Sequence, residues 1–353
     1  MALQPHHVRG TLVTTPLTDV RDISRIAYGF MASKALFSAL NIDLFGHLAG
    51  NGKTLEALIE STGVASNRLG TLLAALTAIG LVTRAGTTYR NAPASERYLV
   101  RGAPAYFGDY YRFQIDRQIY PALVHLDAGI AGDTQRLAFA SLAGLTDDPE
   151  EADAFTRAQH AGSMGPAVMV ARKLDLTGAR RLLDVGGGSG AFSIALCQRH
   201  PQLRATVLDF PNVIDVAERF VTEAKLGDRI DTIRADAIEG AWPRDQDVIL
   251  FSYLLSAVAE ASFPVLLSKA WEALCPGGRL LIHDFMLDDE ETGPALAALW
   301  FLQYLWGRVD GISFSAARLG EQLKRHGYVD VSDQVVIPEI TKLVICSKRA
   351  GPA

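Results

Sequence analysis

The 353-residue sequence has few cysteines, no surplus of basic charge and no long hydrophobic run, and each lack removes a class of protein. Its three cysteines, Cys197, Cys275 and Cys346, lie far apart among apolar residues, which gives neither a disulfide framework nor a zinc-ligand spacing. They read as reduced core thiols. A net charge of −5 argues against a nucleic-acid partner, because binding a phosphate backbone needs a basic surplus. No apolar stretch reaches the length of a membrane span, and residues 1–16 lack the apolar core of a signal peptide, so no membrane association and a cytoplasmic location are expected. No internal repeat or low-complexity tract is evident. What remains is a globular composition, 49% hydrophobic and 21% charged, in a chain long enough for one large or two ordinary domains.

The most informative stretch is Leu182-Leu183-Asp184-Val185-Gly186-Gly187-Gly188-Ser189-Gly190, an apolar strand running into alternate glycines. Glycine lets the backbone turn sharply and approach a ligand that any Cβ would hold off, and Ala191–Gln198 then reads as a helix. The glycines alone also fit a dinucleotide fingerprint. Asp184 separates the two, since a carboxylate there suits the ammonium of a methionine moiety and would repel a pyrophosphate at a helix N-terminus. Asp209 ends the next apolar run about 20 residues on, where a carboxylate can bridge ribose hydroxyls. Asp236, in Ile233-Arg234-Ala235-Asp236-Ala237, is placed to accept the exocyclic amine of adenine. Acids at successive strand ends point to S-adenosylmethionine as the cofactor.

Helical spacing of apolar residues runs through Asp22–Leu48. Thr54 caps a helix that Gly63 ends, Ser66–Ile79 forms another, and Leu81–Arg84 with Gly86–Asn91 reads as two short strands. This is a winged-helix pattern, but its second helix offers Arg68 as its one base, which favours dimerisation and pocket lining over DNA. Gly102–Gly132 is rich in aromatics and then helical, and Asp153–Leu174 is a further helix carrying His160 and Met164. From Arg180, strands near Leu182, Thr206, Asp231, Val248, Leu280 and Leu343 alternate with helices, the mark of a parallel, doubly wound α/β sheet. The expected organisation is a winged-helix dimerisation domain over 1–101, linking helices over 102–165, and a Rossmann-like methyltransferase domain over 166–353.

Over nearly its whole length the chain resembles the small-molecule O-methyltransferases of the caffeate and acetylserotonin type. Leu40-Asn41-Ile42-Asp43-Leu44-Phe45, the Asp184–Gly190 loop, Leu208-Asp209-Phe210-Pro211 and Pro276-Gly277-Gly278-Arg279-Leu280-Leu281-Ile282 carry the likeness. It implies a homodimer and a cofactor site at Asp184, Gly186, Gly188, Gly190, Asp209, Phe210, Asp236, Ala237 and Ser252, the last standing where the family has a cofactor-contacting lysine. The family's general base lies in a Leu-His-Asp-Trp run, and this chain has Leu255-Ser256-Ala257-Val258 there. The glutamate that orients that histidine has no counterpart around 307–315. A similar replacement marks the bacteriochlorophyllide carbon methyltransferases.

A retained cofactor site without a base implies an acceptor that needs little deprotonation. A thioether sulfur meets that requirement, with closeness, alignment and water exclusion as the catalytic means. Its sulfonium product would suit an aromatic cage drawn from Tyr106, Tyr110, Tyr111, Tyr120, Trp300, Tyr304 and Trp306. Arg112 or Arg117, with Gln114 and Met164 nearby, is expected to hold a small carboxylate. The run Tyr106–Gln114 also resembles bacterial S-methyltransferases that act on methylthio-hydroxybutyrate toward dimethylsulfoniopropionate. The preferred expectation is therefore S-methylation of a thioether carboxylate. The alternative is O- or C-methylation of an aromatic or polyketide-like metabolite, with His160, Tyr110 or Tyr111 as the catalytic proton acceptor. A regulatory protein that holds the cofactor and transfers nothing is a third reading. His160 and His283 lack paired spacing, and no metal site is expected.

Overall fold

The computed structural model describes residues 16–132, 146–305 and 315–350. Its N-terminal part is helical because local caps and apolar spacing agree. Helix α1, Val20–Ala27, starts at Asp19, whose carboxylate accepts the Arg21 N–H at 2.7 Å. The helical stretch over Asp22–Leu48 is three helices. Tyr28 separates α1 from α2, Gly29–Asn41, and Asp43, at φ 52°, separates α2 from α3, Leu44–Leu48. Strand β1, Lys53–Thr54, leads into α4, Leu55–Thr62, which Thr54 caps and Gly63 ends at φ 70°. Helix α5, Ser66–Ala78, buries Leu69, Leu73 and Leu76 on one face, against Leu40, Phe45 and Leu58. Strands β2, Val82–Ala85, and β3, Thr88–Asn91, form the wing, with β1 as a third strand on β3. Helix α5 turns its leucines inward, and its exposed face carries Arg68 as its one base.

After α6, Pro93–Tyr98, the aromatic segment Tyr110–Ile119 is wound as a π-helix and not an α-helix. Short helices α7, Tyr120–Leu123, and α8, Leu126–Ile130, follow. The long α9, Pro149–Lys173, is capped by Asp148, which accepts from the Glu150 and Glu151 N–H groups, and ends on Arg172 and Lys173, in keeping with its dipole.

The C-terminal part is one seven-stranded sheet of order β6-β5-β4-β7-β8-β10-β9. In chain order its elements are β4 (Arg181–Val185), α10 (Ala191–Arg199), β5 (Arg204–Asp209), α11 (Pro211–Glu223), β6 (Ile230–Arg234), β7 (Gln246–Ser252), α12 (Phe263–Ala273), β8 (Leu274–Phe285), α13 (Ala295–Phe301), α14 (Ala316–Arg325), β9 (Val329–Ile337) and β10 (Thr341–Ser347). Strands β6 to β8 run parallel and β8, β10 and β9 antiparallel, which corrects the all-parallel expectation. A short turn joins β9 to β10, and a short turn can only reverse direction. Strand β9, at the sheet edge with Val336 its one buried residue, was not among the strands expected from the sequence. Apolar clusters cover both faces, one against α9 to α11 and one against α12 and α14. Strand order reverses between β4 and β7, so their carboxyl ends open a crevice where ligands of such sheets bind.

Candidate active site

The crevice is built first by backbone. Gly186, Gly188 and Gly190 have φ of 64°, 56° and 74°, which L side chains rarely adopt. A Cβ on Gly186 would come within 2.8 Å of Leu254 Cδ1, so the loops after β4 and β7 approach as closely as they do because a hydrogen stands there. Asp209 ties the next strand end to the same loop: its Oδ2 accepts the Gly188 N–H at 2.8 Å and its Oδ1 the Phe210 N–H at 2.7 Å. Asp184 lies beneath Gly187, fully buried, with Oδ2 accepting from Ser193 Oγ at 2.7 Å. Its Oδ1 has no hydrogen-bond partner in the protein.

Burial pushes the Asp184 carboxyl up to about 7; the Ser193 bond opposes this, and the Asp209 charge adds to it. Asp209 is pushed up to about 6, again by burial first, against the pull of the Gly188 and Phe210 N–H groups. A cation entering the crevice would return both to the ionised form. Asp236 completes the acidic side, accepting the Ile238 N–H at 2.6 Å.

Asp209 and Asp236 border an open cleft. Of the residues expected to hold the cofactor, Gly186, Asp209, Phe210, Asp236 and Ala237 line it. Gly188 and Gly190 shape the loop, Asp184 underlies it, and Ser252 stands behind it, its Oγ 3.2 Å from His283 Nδ1. The opposite wall is Tyr253, Leu254, Ala257 and Val258, which sequence reasoning missed. That run was read for the base it lacks, and its position after β7, across the strand-order reversal, was the available signal.

Tyr253 holds φ 56°, a conformation that costs a non-glycine residue about 1–3 kcal/mol and recurs at functional sites. Its ring joins the cleft to an aromatic wall. It packs 5.3 Å from Phe285, which stacks on Trp300 at 4.3 Å, and the Trp300 Nε1–H donates to the Tyr304 hydroxyl at 3.2 Å. From the π-helix, Tyr110 and Tyr111 pack on Phe107 at 4.9 and 5.1 Å. Tyr110 lies against Gly162 of α9, where a Cβ would sit 2.5 Å from its ring. Burial holds the Tyr110 and Tyr253 phenols far above their ordinary value; Tyr111 and Tyr304 add to the effect at Tyr110, and Tyr110 and Asp284 at Tyr253. Both are neutral donors and cannot act as bases near neutral pH.

Several expectations change with the geometry. The His160 ring stacks parallel on Phe220 at 3.6 Å and its Nδ1 meets Ser189 Oγ at 2.9 Å, so it braces the glycine loop and is not among the residues lining the cleft. Burial, then Arg157, lowers it to about 4. Arg112 does not wait for a carboxylate: Asp109 and Asn41 hold it at 3.2 and 3.3 Å. Arg117 is exposed, 4.8 Å over the Phe113 ring. Tyr120 turns to the N-terminal helices, edge-on to Phe37 at 5.9 Å. Gln114 is buried with its Oε1 unpartnered, and Met164 is half-buried on α9. Trp306 lies outside the described residues. His283, lowered to about 3 by burial, is fixed between Ser252 and Thr341. Among the described residues, no group of three His, Cys, Asp or Glu could hold a metal, and no helix is long and apolar enough to cross a membrane.

Residues 125–329 match the O-methyltransferase domain and residues 24–101 the O-methyltransferase dimerisation domain. The chain belongs to this O-methyltransferase family. It is 32% identical to the tetracenomycin polyketide synthesis 8-O-methyl transferase of Streptomyces glaucescens, over 91% of this chain and 96% of that one. It is 31% identical to the 3-hydroxy-5-methyl-1-naphthoate 3-O-methyltransferase of Streptomyces sahachiroi, over 88% and 89% of the two. Human N-acetylserotonin methyltransferase in complex with S-adenosylmethionine shares the fold, with a TM-score of 0.84 and 22% identity over 96% of this chain and 100% of that one.

The protein is thus a methyltransferase dependent on S-adenosylmethionine, and its residues fit that group. An unpartnered buried carboxylate oxygen lies under the glycine loop for a cationic ligand, Asp209 faces the cleft for a diol, and an apolar wall stands opposite for a flat ring. The dimerisation domain supports a homodimer. None of these three relatives is named for S-methylation of a thioether, so that expectation gains no support.

Proposed function

We propose that this enzyme methylates a hydroxyl of an aromatic or polyketide-like metabolite that reaches the site already ionised. One observation carries the base-free part of this reading: along the described wall no histidine or tyrosine is a competent base, and Asp284, pushed up to about 6 by burial, is tied down by the Ser256 and Phe285 N–H groups. Ser256 stands where the family's histidine would be, with its N–H donated to Asp284 at 3.0 Å. His160 and His283 are engaged elsewhere and too weakly basic, and the tyrosines are held neutral. The two bacterial relatives, by name a polyketide 8-O-methyl transferase and a naphthoate 3-O-methyltransferase, favour an aromatic hydroxyl.

When bound, S-adenosylmethionine supplies an electrophilic methyl group. The chain's part is to bind and to exclude water: Asp209 and Asp236 orient the cofactor, Leu254 closes the wall over Gly186, and the rings of Tyr110, Tyr253 and Trp300 hold the acceptor in a dry, aligned approach. Phenol donors from Tyr110 and Tyr253 can steer an anionic oxygen without removing its proton.

A second reading keeps the thioether acceptor, and the aromatic wall is the observation that favours it, because ring faces stabilise a sulfonium product. Incubation with methyl-labelled S-adenosylmethionine and a panel of naphthols, hydroxyanthraquinones and methylthio-carboxylates separates the two. An O-methylated product, with a rate that follows the acceptor's own ionisation, is expected. A labelled sulfonium formed at a rate flat from pH 6 to 9 would replace it with the second reading.

A further inference from the structure

The turn carrying Asp236 has its polar groups sorted to two sides. Its N–H groups go to the acid, with Ile238 and Glu239 donating to Asp236 Oδ1 at 2.6 and 3.3 Å. Its carbonyls go to one cation. Lys269, on α12, donates from Nζ to the carbonyls of Ala237, Ile238 and Gly240 at 3.0, 2.7 and 2.5 Å. The Trp242 ring lies 5.2 Å from the same ammonium, and its indole N–H donates to the Ala237 carbonyl at 3.0 Å. The turn is otherwise closed only by the Gly240 N–H on the Asp236 carbonyl at 2.8 Å, and a Cβ on Gly240 would sit 2.6 Å from that oxygen.

Three carbonyls converging on one ammonium satisfy all three of its donors, so the side chain is spent on this contact and has none left for a ligand. Ala235, Asp236, Ala237 and Ile238 all border the cofactor cleft, whereas Lys269 does not. We propose that Lys269 is a positioning residue for the cofactor: it holds the 236–240 turn from behind, and so fixes the Asp236 carboxylate and the Ala237–Ile238 edge against the adenosine end of the ligand. Removing the cation frees the Ile238 and Gly240 carbonyls and leaves the Ala237 carbonyl to Trp242 alone, and the turn can then rotate the freed groups to water and swing Asp236 out of place. The inference concerns the cofactor end alone and is independent of the acceptor.

The test measures binding of S-adenosylhomocysteine by calorimetry to the full-length protein. Lys269→Met keeps the apolar stem and is expected to raise Kd about tenfold, the scale of losing charge-assisted hydrogen bonds. Asp236→Ala should cost as much or more, and the double variant should bind within about twofold of Asp236→Ala, since both changes act through one turn. Lys269→Arg should recover most of the loss. An unchanged Kd in Lys269→Met, or additive losses in the double variant, would overturn the proposal. So would a lowered melting temperature that Lys269→Arg leaves uncorrected, because packing of α12 would then explain the effect.

Discussion

The two halves of the active site are made of different material. The cofactor cleft is built by backbone and carboxylates at consecutive strand ends: positive-φ glycines, N–H groups donated to Asp209, and a turn collected by Asp236. The aromatic wall beside it, the proposed acceptor side, is built by rings arriving from the π-helix, from the loop after β7 and from α13, with Gly162 of α9 as the notch that admits Tyr110. A backbone site has little room to vary because every atom in it also closes a loop. A side-chain site can be redrawn one ring at a time. On the proposed function, the cleft fixes what is given and the wall decides what receives.

Four changes would break or sharpen that contrast. The largest effect is expected from Gly186→Val, which adds a strained φ and a clash with Leu254. Binding of S-adenosylmethionine should weaken by roughly a hundredfold or more, with the far-ultraviolet circular dichroism spectrum retained. Next, Tyr110→Ala should lower kcat/KM for the acceptor on the order of tenfold to a hundredfold through lost ring contact, while the Kd of S-adenosylhomocysteine stays within about twofold. A comparable loss in both would show that the halves are not separable.

The third change is pH. Asp209 and Asp184 are held up to about 6 and about 7 in the unliganded protein, and the cationic cofactor favours their ionised forms. Affinity should therefore rise from pH 5 to 7 and level off above, falling about tenfold per unit below pH 6 for one coupled carboxyl. Calorimetry in buffers of different ionisation enthalpy would detect the released proton. For stability the sign is opposite to that of a salt-bridged acid. The folded state keeps protons that the unfolded chain has already lost, so these two groups withdraw stability as pH rises from about 4 to 7.

The smallest effect belongs to His160→Ala. As a brace on Ser189 it should lower activity about threefold for every acceptor, with Ser189→Ala giving a similar, non-additive loss. A loss of a hundredfold to ten-thousandfold would instead mark a general base.

The same division governs what the sequence reveals. Gly186, Asp209 and Asp236 were legible as residues of one cleft because a sharp turn and successive strand ends leave a narrow choice of residue in a fixed order. The acceptor side was legible only as composition. Tyr110, Trp300 and Tyr304 could be named as aromatics, but Tyr120 faces the N-terminal helices, and Arg112 and Arg117 are occupied by a near neighbour or by solvent. Which ring turns inward depends on helix winding and on an empty position at Gly162, and neither has a local signature. Tyr253 escaped for a related reason: nothing in its chemistry announces a positive φ.

The π-helix over Tyr110–Ile119 has a consequence for what a one-residue deletion would do there. A π-helix holds one more residue per turn than the hydrogen bonding of an α-helix accommodates. Deleting a single residue would relax the segment to α-helical winding and turn its downstream side chains about 100° relative to those before it. Tyr110 would keep its seat on Gly162, while Gln114 and Asp116 would be re-aimed, the latter away from its partners Lys34 and Asn41. One lost codon would thus reset how this segment packs on α2 while Tyr110 stays in place, without touching an atom of the cofactor cleft.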